Sequence, residues 1–314
     1  MTDNTYLPEG HRIATAENRE YVSSAYGLER ARMEGKILEG TVIKCDSSDF
    51  SLTVDLYGIT GILPREEVAY VTEGEAIKDI AIITRVGKPI AFKVLEIKRE
   101  GGRTVAILSR RAAQMDCMEN YLMGLAPGDV VPARVTHLEP FGAFVDIGCG
   151  IVSLLSVDAI SVSRISHPKD RFSVRQDILA VIKSVDYESG RIYVSHRELL
   201  GTWEENAAEF SVGQTVAGVI RSIEPYGVFV ELTPNLAGLA ERKEGVRVGE
   251  SCAVYIKSMI PEKMKIKLVL IDSYEGGAAP PKIRYTAAAA REKHLDVWRY
   301  SPAVSDKIVE TVFC

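Results

Sequence analysis

One pattern of apolar and polar positions occurs twice in the chain. The chain reads EPFGAFVDIG at residues 139–148 and EPYGVFVEL at residues 224–232, an offset of 85 residues. Successive side chains of a strand point to opposite faces of the sheet. The alternation therefore puts Ala143, Val145 and Ile147 on one face, which we expect to point into a core. The repeat predicts two units with the same strand arrangement.

The opposite face of each repeated strand combines an aromatic residue with an acidic one. Phe144 shares its face with Asp146, and Phe229 shares its face with Glu231. A single phenylalanine is usually buried in a core. A ring that stands twice beside an acidic residue on the polar face indicates another use, so we expect Phe144 and Phe229 to form an exposed stacking surface.

Two more rings lie at the start of the repeated strands. Phe141 and Tyr226 have the parity of core residues, but each precedes a glycine. A β-bulge at a glycine turns a neighbouring side chain to the other face. We therefore expect a bulge that brings these rings onto the surface formed by Phe144 and Phe229.

The remaining chain divides into β-rich units and connectors. Helical spacing predicts one helix over residues 15–33, and Thr202 with Glu205 forms a capping box that predicts a helix between the last two units. Residues 286–298 form a possible helix, on which Trp298 is either a packed residue or a docking anchor. The predicted boundaries are an N-terminal segment with a helix at 1–35, a divergent first barrel at 36–111, a second barrel at 126–200, a third barrel at 211–274, and a linker with a possible helix at 275–314.

Short alternating strands separated by glycine turns are typical of small closed barrels. The units of roughly 70 residues suit this architecture, and a chain of 314 residues is long enough for several of them. The sequence predicts a mainly β protein. It contains three tandem five-stranded barrels of the oligonucleotide-binding type joined by short helices, with an N-terminal helix and a C-terminal tail.

Composition excludes several classes of protein. A formal net charge of −5 argues against a uniformly basic surface for duplex nucleic acid, although it allows local basic grooves. The five cysteines show no metal-ligand or redox spacing, and no phosphate-binding loop, zinc-protease or hydrolase motif is present. We therefore expect no metal, no cofactor and no enzymatic activity. The apolar runs are too short to span a bilayer, and the start of the chain has no signal-peptide pattern, which predicts a cytoplasmic protein.

The second and third units resemble the RNA-binding repeat of bacterial ribosomal protein S1. The resemblance is carried by the pattern G-x-x-V-x-A-x-V-x-x-L-x-x-F-G-A-F-V-D-I-G, which begins at Gly128, and by the closing sequence GRIYVS at residues 190–195. The first unit is similar to a divergent first repeat of that family at residues 40–42, 58–64 and 108–112. In this unit Thr53 stands where Phe144 stands in the second unit. The resemblance covers about residues 36–274.

The resemblance implies which residues contact RNA. It implies that the two aromatics of each repeat stack on bases, together with the basic residue that begins the last strand. A histidine of the family pattern is missing, since its positions hold Pro64, Ser156 and Glu241. His167 is either a substitute for it or an ordinary loop residue. The implied stacking set is Phe141, Phe144 and Arg191 in the second unit and Tyr226, Phe229 and Lys265 in the third.

Further basic residues near these strands are candidates for phosphate contacts. Each is either a phosphate ligand or a solvated surface charge, the usual state of a single lysine or arginine. The candidates carried forward are Arg134 and Arg171 in the second unit and Arg221 and Lys257 in the third.

Three functions fit these features. The first is a monomeric single-stranded RNA-binding protein of the translation apparatus, which holds mRNA near the small ribosomal subunit and docks there through its first barrel. The second is an accessory RNA-binding subunit of an RNA-decay or transcription complex. The third is a protein-interaction scaffold that no longer binds RNA.

Overall fold

The computed structural model describes residues 5–71, 77–186, 190–277, 283–286, 291 and 293–313. Within these residues the chain forms three closed five-stranded barrels in tandem, which confirms the predicted fold class. In each barrel the third strand pairs in parallel with the fifth, and the other pairings are antiparallel. None of the helices in the described part of the chain has the length and apolar character needed to cross a membrane.

Barrel 1 follows two short helices. The prediction of one helix over residues 15–33 is wrong, because the chain leaves the helical path at Ser23 and starts again with Ser24 as a new cap. The Ser24 hydroxyl accepts a hydrogen bond from the Gly27 amide at 3.0 Å. The elements are α1 (Ala16–Val22), α2 (Ala25–Glu34), β1 (Leu38–Cys45), β2 (Leu52–Leu56), β3 (Ile59–Leu63), α3 (Asp79–Ile83), β4 (Pro89–Glu100) and β5 (Arg103–Ser109).

Barrels 2 and 3 repeat this strand arrangement, and each is preceded by a helix. The elements of barrel 2 are α4 (Arg110–Asn120), β6 (Val130–Glu139), β7 (Gly142–Asp146), β8 (Val152–Ser156), β9 (Asp177–Asp186) and β10 (Arg191–Ser195). Those of barrel 3 are α5 (Trp203–Ala207), β11 (Thr215–Glu224), β12 (Gly227–Thr233), β13 (Leu236–Ala240), β14 (Glu250–Ile260) and β15 (Lys265–Gly277). Short 3-10 turns occupy Arg65–Glu67, Leu122–Gly124, Val157–Ala159, Pro168–Asp170, Arg197–Leu200 and Pro261–Lys263.

The segments around barrel 3 pack two tryptophans into its core. The capping box of Thr202 and Glu205 is present at the start of α5, and Trp203 in that helix is buried. Trp298 is also buried, but it lies in a strand rather than in the predicted helix. That strand, β16 (Val297–Arg299), pairs with β17 (Glu310–Val312). Residues 287–290 and 292 of the predicted helix lie outside the described residues.

The N-terminal segment connects barrel 1 to barrel 2 through a buried ion pair. Glu9 accepts a hydrogen bond from the Arg110 Nε at 2.6 Å and another from the Ala91 amide of barrel 1 at 3.0 Å. Arg110 also donates to the carbonyl of Gly150 in barrel 2. Burial alone raises the pKa of Glu9, but the Arg110 guanidinium outweighs burial and holds the pKa of Glu9 below its usual range.

A second buried cluster connects barrel 2 to barrel 3. Arg171, in the loop before β9, donates to the carboxylate of Glu231 on β12. Arg221 on β11 donates to the same carboxylate through Nε at 2.9 Å and Nη2 at 3.1 Å. Ser163 adds a fourth hydrogen bond, so a single carboxylate on barrel 3 joins three side chains from two barrels.

The two acidic residues of the repeated strands are therefore not exposed, although parity does put them on the outer face. Asp146 is 2% exposed and Glu231 is 3% exposed. Another part of the chain covers each of them: the amide of Glu9 in the N-terminal segment donates to Asp146 at 2.7 Å, and Arg171 of barrel 2 contacts Glu231. The expectation that they share an open surface with Phe144 and Phe229 is wrong, because tandem packing covers this end of the strand.

We predict that Glu231→Gln weakens the attachment of barrel 3. The substitution leaves the Arg171 guanidinium buried without a full countercharge, which typically costs about 3–5 kcal/mol. Denaturant unfolding followed by tryptophan fluorescence reports on this region, since Trp203 and Trp298 both pack in the core of barrel 3. Glu262→Gln, at an exposed residue, is the matched control and should change stability by less than about 0.5 kcal/mol. Equal midpoints for the two variants would contradict the assigned role of Glu231.

Candidate nucleic-acid interface

Tight hairpin turns expose one ring on barrel 2 and one on barrel 3. Glu139 pairs directly with Gly142, so Phe141 lies in a two-residue turn and is 56% exposed. Tyr226 occupies the same place before Gly227 and is 68% exposed. The predicted bulge at the glycine is thus wrong, since the turn itself exposes both rings. Glycine is needed there for another reason: a Cβ on Gly142 would lie 2.5 Å from the carbonyl oxygen of Leu155.

A second ring lies beside each of these and is half-buried. Phe144 meets Phe141 edge to face, with ring centroids 6.0 Å apart and an interplanar angle of 88°. Phe229 meets Tyr226 in the same way, at 6.1 Å and 89°. Edge-to-face packing is a favourable arrangement for aromatic pairs. Each pair therefore presents a preformed aromatic corner, while the core-facing residues of the strand are fully buried as parity predicts.

Phe144 belongs to a row of side chains that crosses barrel 2. The strand register places four residues side by side, and we call them the barrel 2 row: His137 on β6, Phe144 on β7, Leu154 on β8 and Tyr193 on β10. All four are exposed or half-buried. Three of the four carry rings, and Leu154 lies between Phe144 and Tyr193.

His137 is a residue of the row that was not predicted from the sequence. Strand parity puts His137 on the core side with Val135, but the register shifts between these two residues and turns His137 outward. Its ring stacks on Phe144, with centroids 6.4 Å apart and an interplanar angle of 28°. Its Nε2 lies 2.7 Å from Glu139. A bulge of this kind leaves no signal in the alternation pattern.

Tyr193 was not predicted as a site residue either, although its spacing from Arg191 indicates the outer face of the strand. Tyr193 follows Arg191 by two residues, so both lie on the outer face of β10, and Tyr193 is 39% exposed. With Phe144 and Leu154 they line a depression of about 400 Å³ on the outside of barrel 2. Arg191 thus lies beside the row, as expected for a group that meets phosphate next to a stacked base.

Barrel 3 has a corresponding row with fewer rings and more charge. The register aligns Ser222, Phe229, Leu239 and Lys267, which we call the barrel 3 row. Lys265 begins the same strand as Lys267 and is exposed, as is Lys257 on β14. Among the described residues none of these lysines forms an ion pair. Barrel 3 therefore carries one aromatic corner on β12 and exposed lysines on β14 and β15.

Barrel 1 has no ring in the corresponding row. The register aligns Lys44, Thr53, Ile62 and Ile107. Phe50, in the turn before β2, is half-buried. The Arg65 guanidinium carbon lies over the Phe50 ring, 4.9 Å from the ring centroid. The first barrel thus lacks the stacking surface of the other two.

The structure corrects the prediction for three of the basic residues. Arg171 is 1% exposed and is used in the junction with Glu231. Arg221 is committed to the same carboxylate. Arg134 binds Asp177 through two hydrogen bonds and the carbonyl of Glu9 through a third. These guanidiniums hold units together, so they are not free to bind a ligand on the rows.

His167 has a local structural contact. Its Nδ1 accepts a hydrogen bond from the Lys169 amide at 3.0 Å and caps the short 3-10 turn that follows. The described contacts of its ring include none of the row residues. The positions of the family histidine hold Ser156, which is half-buried at the end of β8, and the exposed Glu241 after β13. Neither barrel 2 nor barrel 3 has a histidine at this position. Barrel 2 has an imidazole on the other neighbouring strand, because His137 lies on β6 whereas Ser156 lies on β8.

Comparison with known proteins gives the same family for the first two barrels. The sequence profile of the S1 RNA binding domain matches residues 32–111 and 125–197. Small ribosomal subunit protein bS1 of Rhizobium meliloti (strain 1021) is 29% identical over 285 residues, which cover 85% of this chain and 48% of that protein. The protein of the same name from Rickettsia conorii is 30% identical over 222 residues, which cover 69% of this chain and 37% of that protein.

A shorter relative matches over a smaller part of the chain. Small ribosomal subunit protein bS1 of Staphylococcus aureus (strain COL) is 33% identical over 198 residues, covering 62% of this chain and 48% of that protein. The chain thus spans between about a third and a half of the length of these three relatives. The matched domains, the three tandem barrels and the relatives together show that the chain belongs to the S1 RNA-binding domain family.

Proposed function

We propose that the chain is a single-stranded RNA-binding protein of the translation apparatus, which holds mRNA on the rows of barrels 2 and 3. The observation that carries the proposal is the pair of aromatic corners, Phe141 with Phe144 and Tyr226 with Phe229. Each stands beside basic residues on the outside of its barrel. A flat ring half open to solvent stacks on a nucleobase, and a nearby lysine or arginine meets its phosphate.

The geometry favours unpaired RNA. Stacking on an aromatic is worth roughly 1–3 kcal/mol per base and tolerates any sequence, because every base has a π face. Bases in a duplex hide those faces, so a paired strand gains little on such a row. Two barrels in one chain increase the affinity for a strand long enough to reach both. Barrel 2, with rings at three of four row positions, contributes more stacking than barrel 3.

Barrel 1 is assigned to docking on the small ribosomal subunit. Its row has no ring, and its helix α3 exposes two apolar side chains on one face, Ile80 at 63% and Ile83 at 46%. The relatives are proteins of the small ribosomal subunit by name, which supports this partner and a cytoplasmic location. The chain acts as a monomeric binding protein without a catalytic site.

We predict that Phe144→Ala with Phe229→Ala weakens RNA binding by about 30-fold or more. Two stacked bases are lost at roughly 1–3 kcal/mol each, and 1.4 kcal/mol is a tenfold change in affinity. Fluorescence anisotropy with a labelled unstructured RNA of about 12 nucleotides, a length that OB-fold sites can span, measures the change. Phe144→Ala alone should weaken binding more than Phe229→Ala alone.

Two controls make this test specific. Tyr26→Ala with Tyr274→Ala removes two rings that are 77% and 54% exposed outside the rows, and it should leave affinity unchanged. Phe144→Ala should also cost less stability than Phe172→Ala, which removes a ring that is 1% exposed and should cost about 3–5 kcal/mol. Unchanged RNA affinity in a folded double variant would overturn the assignment of the rows.

We predict that Ile80→Glu with Ile83→Glu abolishes co-sedimentation with small ribosomal subunits. Two carboxylates on α3 remove the apolar contact area and oppose burial against a partner. The subunits are washed free of mRNA first, so that RNA held by barrels 2 and 3 does not bridge the two. Affinity for an RNA of about 4 nucleotides, measured by anisotropy, should stay the same, because α3 lies outside the rows of barrels 2 and 3.

Val304→Glu with Ile308→Glu is the matched control, since it places the same charges at two exposed apolar residues, 59% and 61% exposed, beyond barrel 3. It should co-sediment like the unaltered protein. Salt-sensitive RNA binding without any co-sedimentation would favour an accessory subunit of an RNA-decay or transcription complex. Absence of both activities would favour a protein-interaction scaffold.

A further inference from the structure

A groove with basic walls lies between barrel 1 and barrel 2, outside the rows. It encloses a cavity of about 270 Å³. Its walls come from the N-terminal segment, from residues 85–88 between α3 and β4, and from Pro89 at the start of β4. Barrel 2 contributes residues 134–136 of β6, Asp146 of β7, and Val174 and Arg175 before β9. The packing of two barrels creates this groove, so neither barrel possesses it alone.

The groove has an excess of positive charge. Lys88 and Arg175 are exposed on its walls and have no carboxylate partner among the described residues, and Arg85 lies 3.7 Å from Glu9. The carboxylate of Glu9 also forms an ion pair with the buried Arg110, so it neutralises Arg85 only in part. Burial, followed by the charges of Arg85 and Arg175, lowers the pKa of Lys88. Crowding of like charges is unfavourable, and a bound anion relieves it.

Asp146, which also lines the groove, offsets this excess only in part. Asp146 is fully enclosed and receives backbone amides from Glu9, Gly148 and Gly150. Burial, followed by the charge of Glu9, raises the pKa of Asp146 to about 7. Arg134 also lines the groove, but it forms an ion pair with Asp177, so the two charges cancel. The unmatched charges in the groove are therefore those of Lys88, Arg175 and, in part, Arg85.

The backbone fixes Arg175 on the groove wall. Its φ is +73°, in the left-handed region that residues other than glycine seldom adopt. Its amide donates to the Val135 carbonyl at 2.7 Å, and the Val135 amide donates back to the carbonyl of Gln176 at 2.9 Å. Residues held in this conformation are concentrated at binding sites, where the surrounding structure maintains them. Here the loop is pinned to β6, the strand that carries His137 of the barrel 2 row.

The groove adjoins the barrel 2 row. Thr136 lines the groove, and its hydroxyl donates to the carbonyl of Phe144 at 3.0 Å. The next residue, His137, stacks on the Phe144 ring. The edge of the groove and the barrel 2 row are therefore formed by consecutive residues of β6.

We infer that this groove between the barrels binds backbone phosphates of the RNA strand whose bases stack on the barrel 2 row. Lys88 and Arg175 are the principal phosphate ligands, and Arg85 adds to the positive electrostatic potential of the groove. The inference rests on the proposed function, because the strand is the one held on the rows. The RNA strand would then run from the barrel 2 row into the groove. Barrel 1 would contact RNA through the residues that it contributes to the groove, and not through its own row.

The test compares two double variants in RNA of two lengths. Lys88→Gln with Arg175→Gln removes the two unmatched charges of the groove. Arg99→Gln with Arg103→Gln removes two exposed charges from strands β4 and β5 that do not line the groove, with the same change in net charge. Affinity is measured over a range of salt concentrations for an RNA of about 12 nucleotides and for one of about 4, the lower limit for an OB-fold site.

The groove variant should bind the longer RNA about 10-fold more weakly at low salt, where phosphate contacts contribute most. Its plot of log affinity against log salt should be less steep by about 1.4, because each lost phosphate contact on a single strand contributes about 0.7. The control variant should match the unaltered protein. The short RNA covers a single row without extending into the groove, so all three proteins should bind it equally.

Two results would overturn the inference while leaving the proposed function intact. One is an unaltered salt slope in the groove variant with the longer RNA. The other is an equal loss for the short and long RNAs, which would reflect a general effect on barrel 2. Failure of the proposed function looks different, since the protein would then bind no RNA, or would bind it undiminished after Phe144→Ala with Phe229→Ala.

Discussion

Two buried contacts between arginine and carboxylate determine how the barrels are joined. Glu9 and Arg110 meet at the first junction and Glu231 and Arg171 at the second, with side chains between 1% and 8% exposed. A buried ion pair adds little net stability, because each charge gives up its hydration, but losing one partner is costly. These contacts therefore specify one arrangement of neighbouring barrels. The spacing of the rows and the existence of a groove between barrels 1 and 2 both depend on that arrangement.

The same strand serves two purposes in barrels 2 and 3. At one position of β7 and β12, Phe144 and Phe229 remain open for stacking. Two residues later, Asp146 and Glu231 are covered by another part of the chain and become part of the junction. Repetition of the strand thus repeats both a binding element and an assembly element. Differences in the rows, such as Tyr193 in barrel 2 against Lys267 in barrel 3, then change the balance between stacking and charge without altering how the barrels are joined.

Much of this architecture was predictable from the sequence, for local reasons. Alternation gives the core face of each strand, a glycine after a turn gives the hairpin, and the offset of 85 residues gives the equivalence of Phe144 and Phe229. The bulge that turns His137 outward was not predictable, because an extra residue in a ladder does not alter composition or spacing. The roles of Arg134, Arg171 and Arg221 were also hidden. Their partners lie on other strands or other units, and only the tertiary structure brings them together.

Each barrel is closed by a parallel pairing between its third and fifth strands. Closure leaves no row of unpaired backbone amides and carbonyls along the side of a barrel. In a chain where similar domains are held at high local concentration, an open edge would invite strands of one domain to add to the sheet of its neighbour. Closed sheets remove that route to misfolding, so the chain can repeat one fold in sequence and still keep each copy separate.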